Sequence, residues 1–518
     1  YEQQKKWRDY MYPDHYWEKE LFRDTTPQSK VNINMAGGTD KFKYFINVGY
    51  IHQGGNTKNE KGKPYGFDPS VKSDQWKFRS NLDYDINKYF KASLSLSTYI
   101  RQNNQPNANV MYGGDLNWAI RDMFNQAMTM PPIYAGPLTI KPMNPENETE
   151  EGLVIQPKNY DRSPYLIMNR YGYAHGTTVK MTTNFALSYD LSKVVTKGLN
   201  IRGSISYDAN GTRNRGSSCN QSVYNVNQDY ENGKFDYALN GDLVRTYSLW
   251  SNSSSDYTLN MQAQLNYNRQ FGSHDVGAMV LAQRDYSVPG DWRPHNVIGV
   301  ATRFTYGYDS RYLLEFDLGY NGSEQFAPSN RFGTFPAFSA GWIISNEKFM
   351  ASTKSWLDNL KIRGSWGRVG SDGYTGSSSR RFLYMDNISF GTSQWASGLG
   401  TGSVRSISIS KYANPNLKWE TADKFDVGFD IGVLKCLTLT MDYYKEKRKD
   451  ILINRNSVPV FQGTPLSTIP MYNMGRIDNN GLEFELGFNK NVAKDLNINA
   501  KVNWGTNHNI VKEWDEAE

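Results

Sequence analysis

Apolar and polar residues alternate one by one through most of the chain. In FRSNLDYDINKYFKASLSLSTYI, residues 78 to 100, Phe78, Leu82, Tyr84 and Ile86 fall on one row, with Arg79, Asn81, Asp83 and Asp85 on the other. After a short turn Phe90, Ala92, Leu94, Leu96 and Ile100 resume the apolar row, opposite Lys91, Ser93, Ser95 and Ser97. Successive strand side chains point to opposite faces, so the stretch predicts a β-hairpin with one apolar and one polar face. The scheme recurs at KFKYFINVGY, LNIRGSISYDAN, YTLNMQAQLNYN, RYLLEFDLGYNG, KFDVGFDIG, GLEFELGFN and LNINAKVNW. About sixteen segments follow it, each near the ten residues that a membrane-crossing strand needs.

The connections alternate in length. Short ones fall at 37–41, 87–89, 191–198, 270–275, 308–311, 432–435 and 489–495. Long polar ones fall near 56–75, 104–176, 209–255, 286–300, 321–337, 370–420 and 452–478. Turns at one end of the strands and loops at the other are the pattern of an outer-membrane barrel. A soluble sandwich or propeller also alternates, but its strands average about five or six residues and its loops show no such parity. The polar rows carry charges and amides throughout, which suits a water-filled lumen better than a filled interior. Tyr50, Tyr207, Tyr267, Tyr320 and Trp504 end strands, where interfacial aromatic girdles sit. The expected fold class is therefore all-β: a transmembrane antiparallel β-barrel with its apolar row toward outer-membrane lipid, short periplasmic turns and long extracellular loops.

One stretch breaks the alternation. In DLNWAIRDMFNQAMTMPP the apolar residues Leu116, Ile120, Met123, Phe124, Ala127 and Met128 repeat at helical spacing. Asp115 is placed to cap this helix and Pro131 and Pro132 to stop it. Lying in a long loop, it reads as a locally packed element or a lid.

Composition narrows the classes. Only 38% of the 518 residues are hydrophobic, and no run approaches the roughly 18 apolar residues of a membrane helix, so any crossing is by strands. Aromatics reach 14%, which favours strands. The net charge of +6 arises from 58 basic and 52 acidic residues without a basic block, which argues against a nucleic-acid partner. Cys219 and Cys436 match no metal or redox spacing and read as unpaired. His15, His52, His175, His274, His295 and His508 form no ligand motif, and no nucleophile elbow, phosphate loop or calcium loop occurs. No metal, cofactor or catalytic residue is expected, and carboxylates such as Glu483 and Glu485 simply occupy successive polar-row positions. The opening YEQQKKWRDY carries no secretory leader, the expectation being that one was removed or that the chain is part of a longer protein. Tyr112, Trp118, Trp250, Trp292, Tyr374 and Trp395, all in long loops, are candidate substrate-binding residues. Their flat faces suit sugar rings or apolar peptide side chains, although packing within a loop accounts for each one alone.

Several stretches carry a family resemblance. NPNLKWETADKFDVGFDIGVL, from Asn414 to Leu434, resembles the NPxLKWE signature of SusC/RagA-type TonB-dependent outer-membrane transporters. AFSAGWIISNEKFM after Phe335 and Pro336, NMGRIDNNGLEFELGF at 473–488, GGTDKFKYFINVGYIHQGG at 37–55 and YPDHYWEKELFR at 12–23 are similar to further family segments, in family order. The signature residues Asn414, Pro415, Leu417, Lys418, Trp419, Glu420, Gly475, Gly481 and Glu483 read as structural: a turn before a strand, an interfacial indole, glycines where the chain is crowded. The resemblance implies a 22-stranded barrel, about sixteen strands of which lie here, around a plug that lies outside this sequence. Residues 1–28 would then be the segment leaving the plug and 29–518 a partial barrel.

The resemblance further implies a Gram-negative outer-membrane importer of oligosaccharides, energised by TonB and partnered by a SusD-like surface lipoprotein. Some members import peptides instead. A surface adhesin or structural barrel without a transport cycle is the alternative from another class, and a passive porin a third, against which the long loops argue.

Overall fold

The computed structural model describes residues 14–59, 66–107, 116–133, 164–229, 234–290, 293–373, 381–397 and 400–516. Strands dominate. In chain order they are β1 (Gln28–Gly38), β2 (Phe42–Gly54), β3 (Lys72–Asp85), β4 (Phe90–Pro106), β5 (Gly172–Asp190) and β6 (Leu199–Asp229). There follow β7 (Lys234–Phe271), β8 (His274–Val288), β9 (His295–Tyr308), β10 (Tyr312–Ser323), β11 (Phe332–Ile343) and β12 (Leu357–Ser371). The last are β13 (Asn387–Ser397), β14 (Gly400–Lys411), β15 (Glu420–Val433), β16 (Leu437–Ile453), β17 (Tyr472–Ala493) and β18 (Leu496–Glu513). Sixteen of them form one sheet in which each strand bonds to its neighbour in sequence, except that β12 bonds to β15; β13 and β14 form a two-stranded sheet of their own.

The register keeps the two rows apart. Phe304, Phe316, Phe338, Trp366 and Phe425 are successive cross-strand partners from β9 to β12 and on to β15. The row continues through Val427 and Phe429, whose partners on β16 are Tyr443 and Met441, and through Phe484 and Trp504. Arg303, Asp317, Arg363, Asp430 and Glu483 lie on the other face. A one-residue slip of any strand would exchange the faces, so the alternation itself fixes the pairing.

Short connections fall where the alternation placed them, and polar chemistry closes them. Thr39 Oγ1 accepts from the Phe42 amide at 3.1 Å, and Asn87 Oδ1 from the Tyr89 amide at 2.9 Å. Asp309 and Ser310 (φ 49° and 52°), and Leu434 and Lys435 (φ 55° and 54°), adopt the paired left-handed conformations of type I′ turns, whose twist matches that of the flanking strands. Residues 344–356 join β11 to β12 through two 3₁₀ turns. There Glu347, its side chain 9% exposed, accepts from Arg311 Nη1 at 2.9 Å and Trp342 Nε1 at 3.1 Å. Its carboxyl is held below the ordinary glutamate value, chiefly by the Tyr312 hydroxyl, with Trp342 and Arg311 adding to the effect and burial opposing it. Tyr308, Tyr312 and Trp342 stack beside it, with ring centroids 6.4 and 6.3 Å apart. This is an aromatic belt at the turn ends.

The long connections differ from the expected spans. Residues 209–255, expected as a loop, lie mostly in the extended strands β6 and β7, of 31 and 38 residues. Both strands run far past the roughly ten residues that cross a membrane, so their outer parts fall in the span expected as a loop. The connections expected at 286–300 and 321–337 shrink for the same reason, because β8 to β11 run into them. β17 likewise begins at Tyr472, inside the span expected to run to 478.

The chain divides into two compact units. The first comprises residues 1–82, 94–183 and 208–256. Its core joins α1 (Trp17–Leu21), α2 (Leu116–Thr129) and α3 (Pro164–Asn169) through Trp17, Leu21, Phe22, Met123, Ala127, Met130, Ile167 and Met168. The Phe22 and Phe124 rings stack at 4.3 Å, and Trp17 donates to the Pro131 carbonyl at 3.3 Å. Met123, Phe124 and Ala127 of the helical stripe therefore pack locally, with one correction: Met128 is 77% exposed and Met130 is buried in its place. Met123, Ala127 and Met130 recur at helical spacing on the buried face, and Met128, one position or about 100° beyond Ala127, turns away from it. Asp115 lies outside the described residues.

The second unit comprises residues 83–93, 184–207 and 257–518. It holds most of the strand pairing described above. No disulfide joins Cys219 and Cys436.

Candidate functional site

In the second unit the polar row gathers charge. Arg363 on β12 reaches three carboxylates on the next two strands: Asp426 at 3.2 Å, Asp430 at 3.3 Å and Asp442 at 2.6 Å. Gly428 between them leaves the room, since a Cβ there would lie 2.3 Å from Asp442 Oδ1 and 2.6 Å from Arg363 Cζ. Arg368 grips Asp423 with two bonds of 2.7 and 3.2 Å, and Lys449 approaches the same carboxylate at 3.4 Å. Arg303 bridges Glu315 and Asp317, both at 2.9 Å, and Lys501 pairs with Glu485 at 2.7 Å. Asp275, Thr305, Glu315, Lys361, Arg363 and Asp426 line a recess of about 360 Å³. Such a surface holds water and presents donors and acceptors of both signs, which suits hydroxyl-rich or zwitterionic solutes.

At the loop ends of the same unit, the signature residues build a joint. Asn414 is buried: its Nδ2 donates to the Met471 carbonyl at 2.8 Å and its Oδ1 accepts from the Asn416 amide at 3.1 Å, an Asx turn that carries the chain over Pro415. Leu417 packs with Phe326, Leu383 and Met471. Asn473 brackets Lys418, accepting from its amide and donating to its carbonyl, both at 2.9 Å, and Lys418 Nζ reaches Asp450 at 3.0 Å. Trp419 donates to the Arg331 carbonyl at 3.1 Å and lies 5.4 Å from Phe326 and 5.3 Å, edge-on, from Phe335. Its indole is thus spent on joining loops. Glu420 accepts from the Leu452 amide at 2.9 Å.

Gly475 and Gly481 sit where bulk is refused, a Cβ at 481 meeting the Thr506 carbonyl at 2.4 Å. Glu483 is on the polar row opposite Asp442. Beside the joint, Asp372 accepts from Ser323 Oγ and pairs with His295 Nε2, each at 2.7 Å, and Arg381 reaches Glu324 at 2.9 Å.

Of the loop aromatics, Trp250 is the one whose side chain the structure describes. Tyr112, Trp292 and Tyr374 lie outside the described residues. Trp118 is on α2 and Trp395 on β13, opposite Gly402. Trp250, on β7 in the first unit, is half-buried over Gly216, where a Cβ would come within 2.7 Å of its ring. In that unit's loops Asp68 bonds Lys72 at 2.9 Å and the Ser70 amide at 3.1 Å; burial opposes its ionisation, but these bonds outweigh it and lower its pKa to about 2. Sequence reasoning missed the Arg363 cluster, although Asp426, Asp430 and Asp442 at alternate positions were its signal.

Residues 134–515 match the family described as TonB dependent receptor-like, beta-barrel. The chain belongs to that family. Such TonB-dependent receptor barrels sit in the Gram-negative outer membrane, so here the apolar row faces lipid and the polar row the lumen. Among relatives of this receptor chain, TonB-dependent receptor P3 of Formosa agariphila is 23% identical over 507 residues, which cover 95% of this chain and 46% of that protein. TonB-dependent receptor SusC of Bacteroides thetaiotaomicron is 28% identical over 308 residues, 54% of this chain and 29% of SusC. The chain thus spans about half the length of P3 and less of SusC. Among solved structures, the RagAB peptide importer in its open-open state aligns with a TM-score of 0.71 at 19% identity, over 97% of this chain and 52% of that one. The outer membrane transporter YddB from Escherichia coli aligns at 0.51 with 9% identity, over 93% and 55%. These likenesses are of fold, within a family of receptors and transporters and not of enzymes.

Proposed function

We propose that the protein containing this chain is a TonB-energised importer of oligosaccharides across the outer membrane, working with a SusD-like surface lipoprotein. The observation that carries this reading is the polar row of β9 to β18, where charges are compensated in place around a recess sized for a small solute. A hydroxyl-rich ligand exchanges bonds with such a surface without needing a net charge of its own. The separate hairpin supports the lipoprotein partner: its cross-strand pair Phe390 and Ile407 is 78% and 72% exposed, apolar surface that a partner would cover. In this reading residues 1–28 leave a plug and 29–518 form part of the barrel. Trp118, Trp250 and Trp395, with Tyr112, Trp292 and Tyr374, are the aromatic residues on which sugar rings would stack in this reading.

A peptide cargo is the second reading, favoured by the arginines that bridge carboxylates on the polar row. Ion pairs of both signs match a zwitterionic chain as well as they match sugar hydroxyls. The deciding experiment isolates the full-length protein from native outer membrane in mild detergent and identifies by mass spectrometry what accompanies it. A lipoprotein with bound oligosaccharide is the expected result. A lipoprotein with peptides moves the substrate to the second reading, and a barrel with neither returns the adhesin or porin.

A further inference from the structure

The apolar row of the second unit is not uniform. Between β5 and β8 it opens a recess of about 550 Å³ lined by Phe185, Leu187, Ile205, Met261 and Ala263, with Gly203 at its floor. A Cβ at Gly203 would meet nothing within 4 Å, so the glycine leaves space there that the backbone does not require. Ala282 keeps the β8 side shallow. At the end of this recess stands Arg284, on the same lipid-facing row as Val280 and Ala282.

An arginine on that row is costly at the membrane mid-plane and nearly free at the interface. Its height follows from β8 alone. His274, at the turn end of β8, bonds Tyr306 Oη at 2.8 Å and lies 5.0 Å from the Tyr308 ring, within the turn-side belt. Arg284 stands ten positions further along β8, which at about 3.3 Å per residue and a 35–45° tilt is roughly 25 Å up the normal, the height of the apolar band. Tyr286, Tyr257 and Tyr207 mark the same level as a second belt, with centroids 6.4 and 5.7 Å apart.

The guanidinium is held ready at this level. Its Nε donates to Asn296 Oδ1 at 3.0 Å and it lies over the Tyr286 ring at 5.4 Å. Its cross-strand neighbours, Met261 and Ile298, are apolar, and it forms no ion pair with a carboxylate among the described residues. Other arginines of this unit, Arg303, Arg363 and Arg368, are each matched by carboxylates on the polar row.

We propose that this recess is a retained-lipid site: an acyl chain lies between Phe185, Ile205 and Met261 over Gly203, and a phosphate headgroup of the outer leaflet is bound by Arg284. Charge complementarity names the occupant. An unmatched cation at headgroup height, directly above an apolar slot, fits a phosphate-bearing acylated lipid; a neutral lipid would leave the arginine without an anion.

The test uses the full-length protein, purified from native outer membrane, with folding verified by its heat-dependent mobility in gels. Native mass spectrometry counts bound phosphate-bearing lipid, and delipidated protein is then titrated with a phosphorylated lipid and with an uncharged glycolipid of the same acyl chains. Arg284→Gln is expected to weaken the phosphorylated lipid about tenfold, the equivalent of roughly 1.4 kcal/mol, and to leave the uncharged one unchanged. Gly203→Leu fills open space without a backbone clash and is expected to weaken both. Arg284→Lys should restore most of the difference. Equal affinity of the wild type for the two lipids, or unaltered phosphorylated-lipid binding in both Arg284→Gln and Gly203→Leu, overturns the proposal.

Discussion

Glu347 shows how a single side chain holds a turn. Three donors converge on its carboxylate, from Tyr312, Trp342 and Arg311, and lower its pKa. A carboxyl whose folded value is depressed adds stability that is fully present above its unfolded value, about 4.3, and that is lost as pH falls through the lowered one. Hydrogen-exchange protection of residues 344–356 is therefore expected to hold from neutral pH down to the glutamate range and to fall below it. In Glu347→Gln protection should already be reduced at neutral pH and should no longer follow acidification; an unchanged acid response would assign the effect to other groups.

Residue-scale legibility was uneven. Asn414 and Trp419 stood out by resemblance and read as turn and interface. Their actual bonds, to Met471 and Arg331, join segments far apart in the chain, and no local pattern encodes such a partner.

At the scale of elements, alternation was legible wherever one face meets lipid and the other water, from β8 to β12 and from β15 to β18. It did not mark the ends of β6 and β7, which run far past the roughly ten residues that a membrane crossing needs. It also could not show which polar-row charges meet, because a cross-strand neighbour lies many residues away. Arg363 ties β12 to β15 and β16 through three carboxylates. Asp442→Asn leaves it two partners, and thermal stability should change little. Arg363→Met strands three carboxylates together and is expected to cost about 1–3 kcal/mol, toward the lower end because the side chain is 31% exposed. Equal, small effects of the two changes in thermal melts would mean that water already carries the charge.

For the whole molecule, the neighbour-to-neighbour sheet was legible in the parity of the connections, whereas its break at β13 and β14 was not, since residues 370–420 were expected only as a polar loop. The β13–β14 hairpin lies inside one connection and takes no place in the large sheet. Replacing residues 387–411 by a short glycine-serine linker is therefore expected to leave the folded mobility and melting of the full-length protein close to wild type, while capture of the surface lipoprotein falls. A barrel that no longer folds would show that the hairpin is needed for assembly.

Ser371 and Glu420 are direct cross-strand partners, so the chain leaves the sheet and returns to it at one rung. The ladder beneath closes whatever the length of what lies between them, while Asp372, Arg381, Leu383 and residues 414–419 tie the two ends of the excursion to neighbouring connections. Recombination can exchange the hairpin at 387–411 between related genes provided that the joint at 414–419 and its partners at 331 and 471–473 are kept. A lineage can thus vary that hairpin while inheriting joint and membrane scaffold together.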